Sequence, residues 1–188
     1  LRTVTGVQTC ALPIFGSTAA LHAAGDHRGA LAIGRLALAE AREVGDMEAI
    51  GEALMLLAAS GSILGTPDGL SFGPEAVTVL RQTGDDGRLA NTLLNLGVAE
   101  HNANRFTEAL ERYSEAGEVF DRLGDVVGRA LVTHNRGEVL ADLGRVSEAR
   151  EACAESLREL RASNAAVGAA LSLSALGRMA VFDGEPEV

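Results

Sequence analysis

Residues 85–164 consist of two consecutive forty-residue segments that repeat one another. The first reads DDGRLANTLLNLGVAEHNANRFTEALERYSEAGEVFDRLG; the second, from Asp125, reads DVVGRALVTHNRGEVLADLGRVSEAREACAESLRELRASN. In register, Asn95 falls on Asn135, Gly97 on Gly137, Arg105 on Arg145, and Glu108-Ala109 on Glu148-Ala149. One repeat of this size cannot bury its own apolar face. A period of this length therefore points to stacked helical hairpins that share a continuous core.

The punctuation agrees. A Gly-Asp pair stands at Gly25-Asp26, Gly45-Asp46, Gly84-Asp85 and Gly124-Asp125. Glycine takes the left-handed conformation that ends one helix, and aspartate caps the free amides that open the next. Helices are predicted over 27–44, 47–63, 86–102, 106–123, 126–142, 146–162 and 166–181, with residues 16–24 as the tail of an earlier one. In 106–123, Phe106, Ala109, Leu110, Tyr113, Ala116, Phe120 and Leu123 form one apolar stripe, with Glu108, Glu111, Arg112, Glu115 and Arg122 outside it. The pattern breaks at Leu64-Gly65-Thr66-Pro67-Asp68-Gly69 and again at Phe72-Gly73-Pro74. Prolines and glycines at that density predict a long loop followed by a short helix from near Pro74 to Thr83. The loop reads as a degenerate repeat; its sharper reading is a binding loop carrying an exposed Phe72.

Composition narrows the function classes. With 47% hydrophobic but only 3% aromatic residues, the core must be built from Ala, Leu and Val, which suits close helix pairs. All sixteen basic residues are Arg, the mark of a GC-rich bacterial genome. A net charge of −10 argues against a nucleic-acid surface and against an anionic membrane surface. No apolar run approaches the ~20 residues that cross a bilayer. Two cysteines, Cys10 and Cys153, are too few for a disulfide framework, which suggests a reducing cytoplasm.

Both ends look cut. Residues 4–14, VTGVQTCALPI, resemble the translated sequence of a sequencing-library adapter, and Pro13, Gln8 and Thr9 interrupt any signal-peptide apolar region. Residues 1–14, Cys10 included, are accordingly set apart as artefactual. Gly184-Glu185-Pro186-Glu187 ends one helix and announces another. The expected organisation is an array over 15–188, with repeats at about 15–45, 46–84, 85–124, 125–164 and a partial 165–188.

These segments resemble tetratricopeptide repeats, which place Leu-Gly in the first helix and a small-aromatic-small pattern in the second. Leu96-Gly97 with Ala109, Tyr113 and Ala116 matches best. The next segment keeps Gly137 and Ala149 but departs at Arg136, Cys153 and Ser156. The last keeps Leu173 and Leu176-Gly177, and the first keeps Ala30 and Ala37. The resemblance implies an all-α, right-handed α-solenoid of antiparallel helical hairpins. Gly97, Gly137 and Gly177 sit mid-helix, where glycine costs ~1 kcal/mol against alanine, which suggests close helix crossings against Ala109 and its equivalents. The forty-residue period is similar to that of repeats in large bacterial, chiefly actinobacterial, ATPase-linked transcriptional regulators and cyclase-linked signalling proteins.

HExxH, CxxC and GxGxxG do not occur in the sequence, and without Lys no Walker loop can form. His22, His27, His101 and His134 lack a His or Cys three or four residues on, so no metal site and no cofactor is expected. Cys153 reads as a small buried hydrophobe. Carrying over the family's groove positions gives Asn91, Leu94, Val98, His101 and Asn102, then Leu131, His134, Glu138 and Asp142, then Ser174, Arg178 and Phe182. Such a lining of amides, imidazoles and carboxylates suits a protein or peptide partner, a basic one in particular. The expected function is a non-catalytic protein-interaction scaffold. The alternative is a sensor or autoinhibitory module of a larger regulator, binding a small ligand or the regulator's own switch domain.

Overall fold

The computed structural model describes residues 18–182. The segment 1–14, residues 15–17 and the turn at 184–187 lie outside it. Every regular element among the described residues is an α-helix. They are α1 (residues 18–23), α2 (His27–Val44), α3 (Met47–Leu64), α4 (Asp68–Thr83), α5 (Asp86–Asn102), α6 (Phe106–Leu123), α7 (Val126–Asp142), α8 (Val146–Ala162) and α9 (Ala166–Phe182).

The Gly-Asp junctions work as expected. Gly25, Gly45, Gly84 and Gly124 all have φ between 68 and 80°. The carboxylates that follow accept from an amide three residues on: Asp26 from Gly29 at 2.9 Å, Asp46 from Ala49 at 3.1 Å, Asp85 from Arg88 at 2.9 Å and Asp125 from Gly128 at 2.9 Å. Each junction thus ends one helix and starts another within two or three residues. Asn104 (φ 58°) and Asn164 (φ 56°) take the left-handed position at turns without glycine, a conformation asparagine tolerates better than most residues.

The chain divides into two compact units, residues 1–99 and 100–188. In the first, α3 packs against both α2 and α4. Its core holds Leu38, Ala41, Ile50, Ala53, Leu54, Leu57, Ala76 and Val79. Because α3 is covered on two sides, it is apolar nearly all round. Of the described helices it alone has the length and apolarity to cross a membrane, yet 61% of it is buried inside the protein, as suits a central core helix. In the second unit α6, α7, α8 and α9 pack in sequence, and α7 also meets α9. Tyr113, Phe120, Val139, Cys153 and Leu160 are its largest fully buried side chains. The fold class is all-α, an α-solenoid of antiparallel helical hairpins.

Residues 64–74 differ from the expected loop. α4 begins at Asp68 and runs through Pro74, so the connection is only Gly65-Thr66-Pro67. The glycines read as helix breakers are contact points. A Cβ on Gly61 would lie 2.5 Å from the Gly69 nitrogen, one on Gly69 would lie 2.6 Å from Ser62 Oγ, and one on Gly73 would lie 2.7 Å from Leu96 Cδ1. Pro74 sits on the exposed side of α4, where water can reach the backbone group it leaves without a donor. Phe72 is partly buried against the first unit's core, which removes the exposed binding loop.

The mid-helix glycines divide. A Cβ on Gly137 would meet Cys153 Sγ at 2.7 Å and the Ala149 carbonyl at 3.2 Å, so a close crossing requires glycine there. Around Gly177 nothing lies within 4 Å, and that expectation does not hold. Ala109, Ala116 and Ala149 are fully buried. Ala109→Leu is therefore expected to lower stability by ~1–3 kcal/mol through overpacking, read as a reduced urea midpoint by far-ultraviolet circular dichroism.

Candidate functional site

The second unit gathers most of the polar side chains singled out above on α7, α9 and the last turn of α5. His134 is buried on α7, one turn before Glu138 on the same face. Its Nδ1 lies 3.2 Å from Ser172 Oγ on α9, Ser172 Oγ lies 3.1 Å from Ser156 Oγ on α8, and Ser156 Oγ is 2.6 Å from the Ala130 carbonyl on α7. This chain of contacts sets the protons. A carbonyl only accepts, so Ser156 spends its single O–H on Ala130 and must accept from Ser172. Ser172 then has no proton left for His134, so Nδ1–H is the donor to Ser172. The neutral imidazole therefore carries its proton on Nδ1 and leaves the Nε2 lone pair free. Burial favours that neutral form, holding the imidazole below its ordinary range, with Glu138 opposing and Arg178 reinforcing.

Two polar contacts join neighbouring first helices, their partners 40 and 41 residues apart. Arg178 Nη2 reaches both Glu138 oxygens at 2.8 Å while its Nη1 donates to Ser174 Oγ at 3.1 Å. His101 Nε2 lies 2.7 Å from Asp142 Oδ2, and its ring meets Phe106 edge-on with centroids 5.8 Å apart. The outer partners stay in solvent, with side chains 58% exposed at Asp142 and 56% at Arg178. Leu131 is half-buried, and Asn102 and Ser174 are exposed. Phe182 ends α9, and its side chain lies outside the described part. Asn91, Leu94 and Val98 belong to the first unit, where Asn91 Nδ2 donates to the Gly87 carbonyl at 2.9 Å.

Cys153 is buried, as expected of a small hydrophobe, but its neighbours were not foreseen from the sequence. Its buried sulfur sits against Gly137, and ligand atoms of His134, Glu138 and Cys153 all lie within 4.8 Å of one another. The signal was present in the register: Cys153 occupies the place of Tyr113, and Gly137 faces it across the hairpin. Burial pushes the Cys153 thiol up to about 11, reinforced by Glu138.

A second polar cluster lies where α5 ends. Glu100 is buried, with Oε2 unbonded and 3.9 Å from Arg112 Nε, itself unbonded; the fully buried Tyr113 hydroxyl also has no partner. Burial, only partly offset by Arg112, raises the Glu100 carboxyl above its ordinary 4.5. The folded chain thus keeps this proton to higher pH than the unfolded chain. Stability falls as pH rises through 4.5 to the raised value and stays lower beyond it. Glu100→Gln is expected to flatten that part of the stability–pH curve and to stabilise at neutral pH by about 1 kcal/mol. Urea unfolding at acid and neutral pH would check it.

No family model and no curated protein matches the chain. Solved structures do. The crystal structure of BtubC (BKLC) from P. vanneervenii has a TM-score of 0.71 at 21% identity, over 89% of this chain and 70% of that one. Aspartyl phosphate phosphatase F from Bacillus subtilis gives 0.71 at 15% identity, over 82% of this chain. The apo form of RapI gives 0.73 at 14% identity, over 91% of this chain. The chain spans 41% and 48% of the length of the latter two. At these identities the likeness is one of fold, and it is to helical-repeat, tetratricopeptide-like proteins.

Proposed function

We propose that this chain is a non-catalytic protein-interaction module whose second unit takes a peptide or partner segment along the first-helix face of α7 and α9. The observation that carries the reading is the pair of half-exposed polar contacts between neighbouring first helices, Glu138–Arg178 and His101–Asp142. Exposed ion pairs are worth only ~0–1 kcal/mol to the fold, so an incoming carboxylate, ammonium or backbone amide can replace one member at little cost. Asn102 and Ser174 flank them as exposed hydrogen-bonding groups. Likeness of fold to helical-repeat proteins supports the same reading. A basic partner was expected from Glu138 and Asp142, but each faces a cation or imidazole of its own chain. A segment carrying both signs of charge suits this face better. The buried free thiol of Cys153 accords with a reducing cytoplasm.

The test is a displayed-peptide selection against the purified chain, followed by the triple variant His101→Ala, Asn102→Ala, Glu138→Ala. Binding is expected to weaken about tenfold or more, ~1.4 kcal/mol or above, with helicity unchanged. Unchanged affinity would remove the face from consideration. A small molecule that raises the melting temperature where no peptide does would favour the sensor reading instead.

A further inference from the structure

Beyond any partner face, we propose that His134, Glu138 and Cys153 form a site for a divalent cation of the zinc class, held between α7 and α8. The donors are an imidazole nitrogen, a carboxylate oxygen and a sulfur, a mixed set that suits zinc and disfavours magnesium and calcium. His134 and Glu138 share a face of α7 one turn apart, and Cys153 reaches them from α8 across Gly137. The three ligand atoms lie within 4.8 Å of one another. In a tetrahedral zinc site with bonds of ~2.0–2.3 Å, ligand atoms stand roughly 3.3–3.8 Å apart. Closure therefore asks for side-chain shifts of about 1 Å.

The second observation is the serine relay. Ligating histidines characteristically donate their other ring N–H to a fixed acceptor, which sets the tautomer. Here Ser172, itself held by Ser156 and the Ala130 carbonyl, receives Nδ1–H and leaves Nε2 as the free donor atom. Arg178 opposes the cation, but it holds both Glu138 oxygens through one nitrogen, so a turn of the carboxylate keeps one contact and frees the other oxygen. The Cys153 S–H bond breaks, its proton leaves to solvent, and the sulfur–metal bond forms. With thiolate, carboxylate and Arg178 around a dication, the site carries a net charge of about +1. Three protein ligands leave a fourth position to water or to a partner's side chain.

The experiment uses the purified, untagged 188-residue chain under reducing conditions, titrated with Zn²⁺ by calorimetry and with Co²⁺ by absorption. One zinc per chain is expected, together with a thiolate-to-cobalt charge-transfer band. Cys153→Ser should abolish the band, and Glu138→Gln should weaken zinc about tenfold or more. Glu138 is partly exposed, so the Gln variant folds even where a change at Cys153 does not, and circular dichroism checks both. Absence of binding, binding without a sulfur–cobalt band, or binding unaltered in Glu138→Gln each overturns the proposal. The neighbouring rings of His22 and His27 would give the sulfur-free result. The readout is the metal, so failure here leaves the peptide-binding reading untouched.

Discussion

Replacing Gly61 with valine is expected to destabilise the chain by about 3 kcal/mol, at the upper end of overpacking costs. Gly61 is buried on α3, and a Cβ there would stand 2.5 Å from the Gly69 nitrogen, 2.6 Å from Asp68 Cβ and 2.9 Å from the Asp68 carbonyl carbon. Two of these three are backbone atoms, so no rotamer change relieves the contact; α3 and α4 must separate. Separation also strains the bonds next to it: Thr66 N–H donates to the Gly61 carbonyl at 2.9 Å, and Ser62 Oγ lies 3.0 Å from the Asn95 carbonyl. Even Gly61→Ala should destabilise, although helix propensity alone would favour alanine by ~1 kcal/mol. Gly177→Ala is the control, because nothing lies within 4 Å of its Cβ position and the propensity gain should appear undiminished. With no Trp and a single Tyr, the urea midpoint is best followed by far-ultraviolet circular dichroism, and amide exchange would place the loss in α3 and α4. An unchanged midpoint in Gly61→Val would refute the close crossing.

The same contact explains where reading from sequence failed. Helix ends were legible wherever Gly-Asp pairs stood, because the left-handed glycine and the capping aspartate are local signals that need no tertiary partner. α4 was not legible. Gly69 and Gly73 lie one turn apart on a helix face, but glycine contributes nothing to a hydrophobic period, so a face that touches Ser62, Leu96 and Ala99 reads as a gap. Pro74 reinforced the error, since a proline that interrupts one exposed hydrogen bond looks the same in sequence as one that ends a helix.

The candidate site shows the complementary limit. Equivalent positions such as Val98, Glu138 and Arg178 could be aligned from the forty-residue period, and the structure brings Glu138 and Arg178 into contact. What the period cannot express is pairing between unlike residues. It aligns Glu138 with Arg178 as equivalents, whereas their opposite charges make them partners. It also could not show that Ser156 and Ser172, unremarkable as letters, orient the one buried histidine of the second unit's described residues.

Phe120→Ala should produce the second large loss, about 3–5 kcal/mol, because the ring is 2% exposed and leaves a cavity between α6 and α7. The ring lies on the backbone of Gly128, where a Cβ would come within 2.4 Å of Phe120 Cδ1 and Cε1. The two positions therefore compete for one volume. Gly128→Val alone is expected to cost ~1–3 kcal/mol, since the ring has no room to retreat in a close-packed interior. In the Phe120→Ala background the same valine enters the vacated space. The double variant should then be more stable than the sum of single effects by at least about 1 kcal/mol, the coupling expected of residues in direct contact. Strict additivity in the urea midpoints would mean that α6 and α7 do not meet at this pair, and the register of the second unit's hairpins would have to be redrawn.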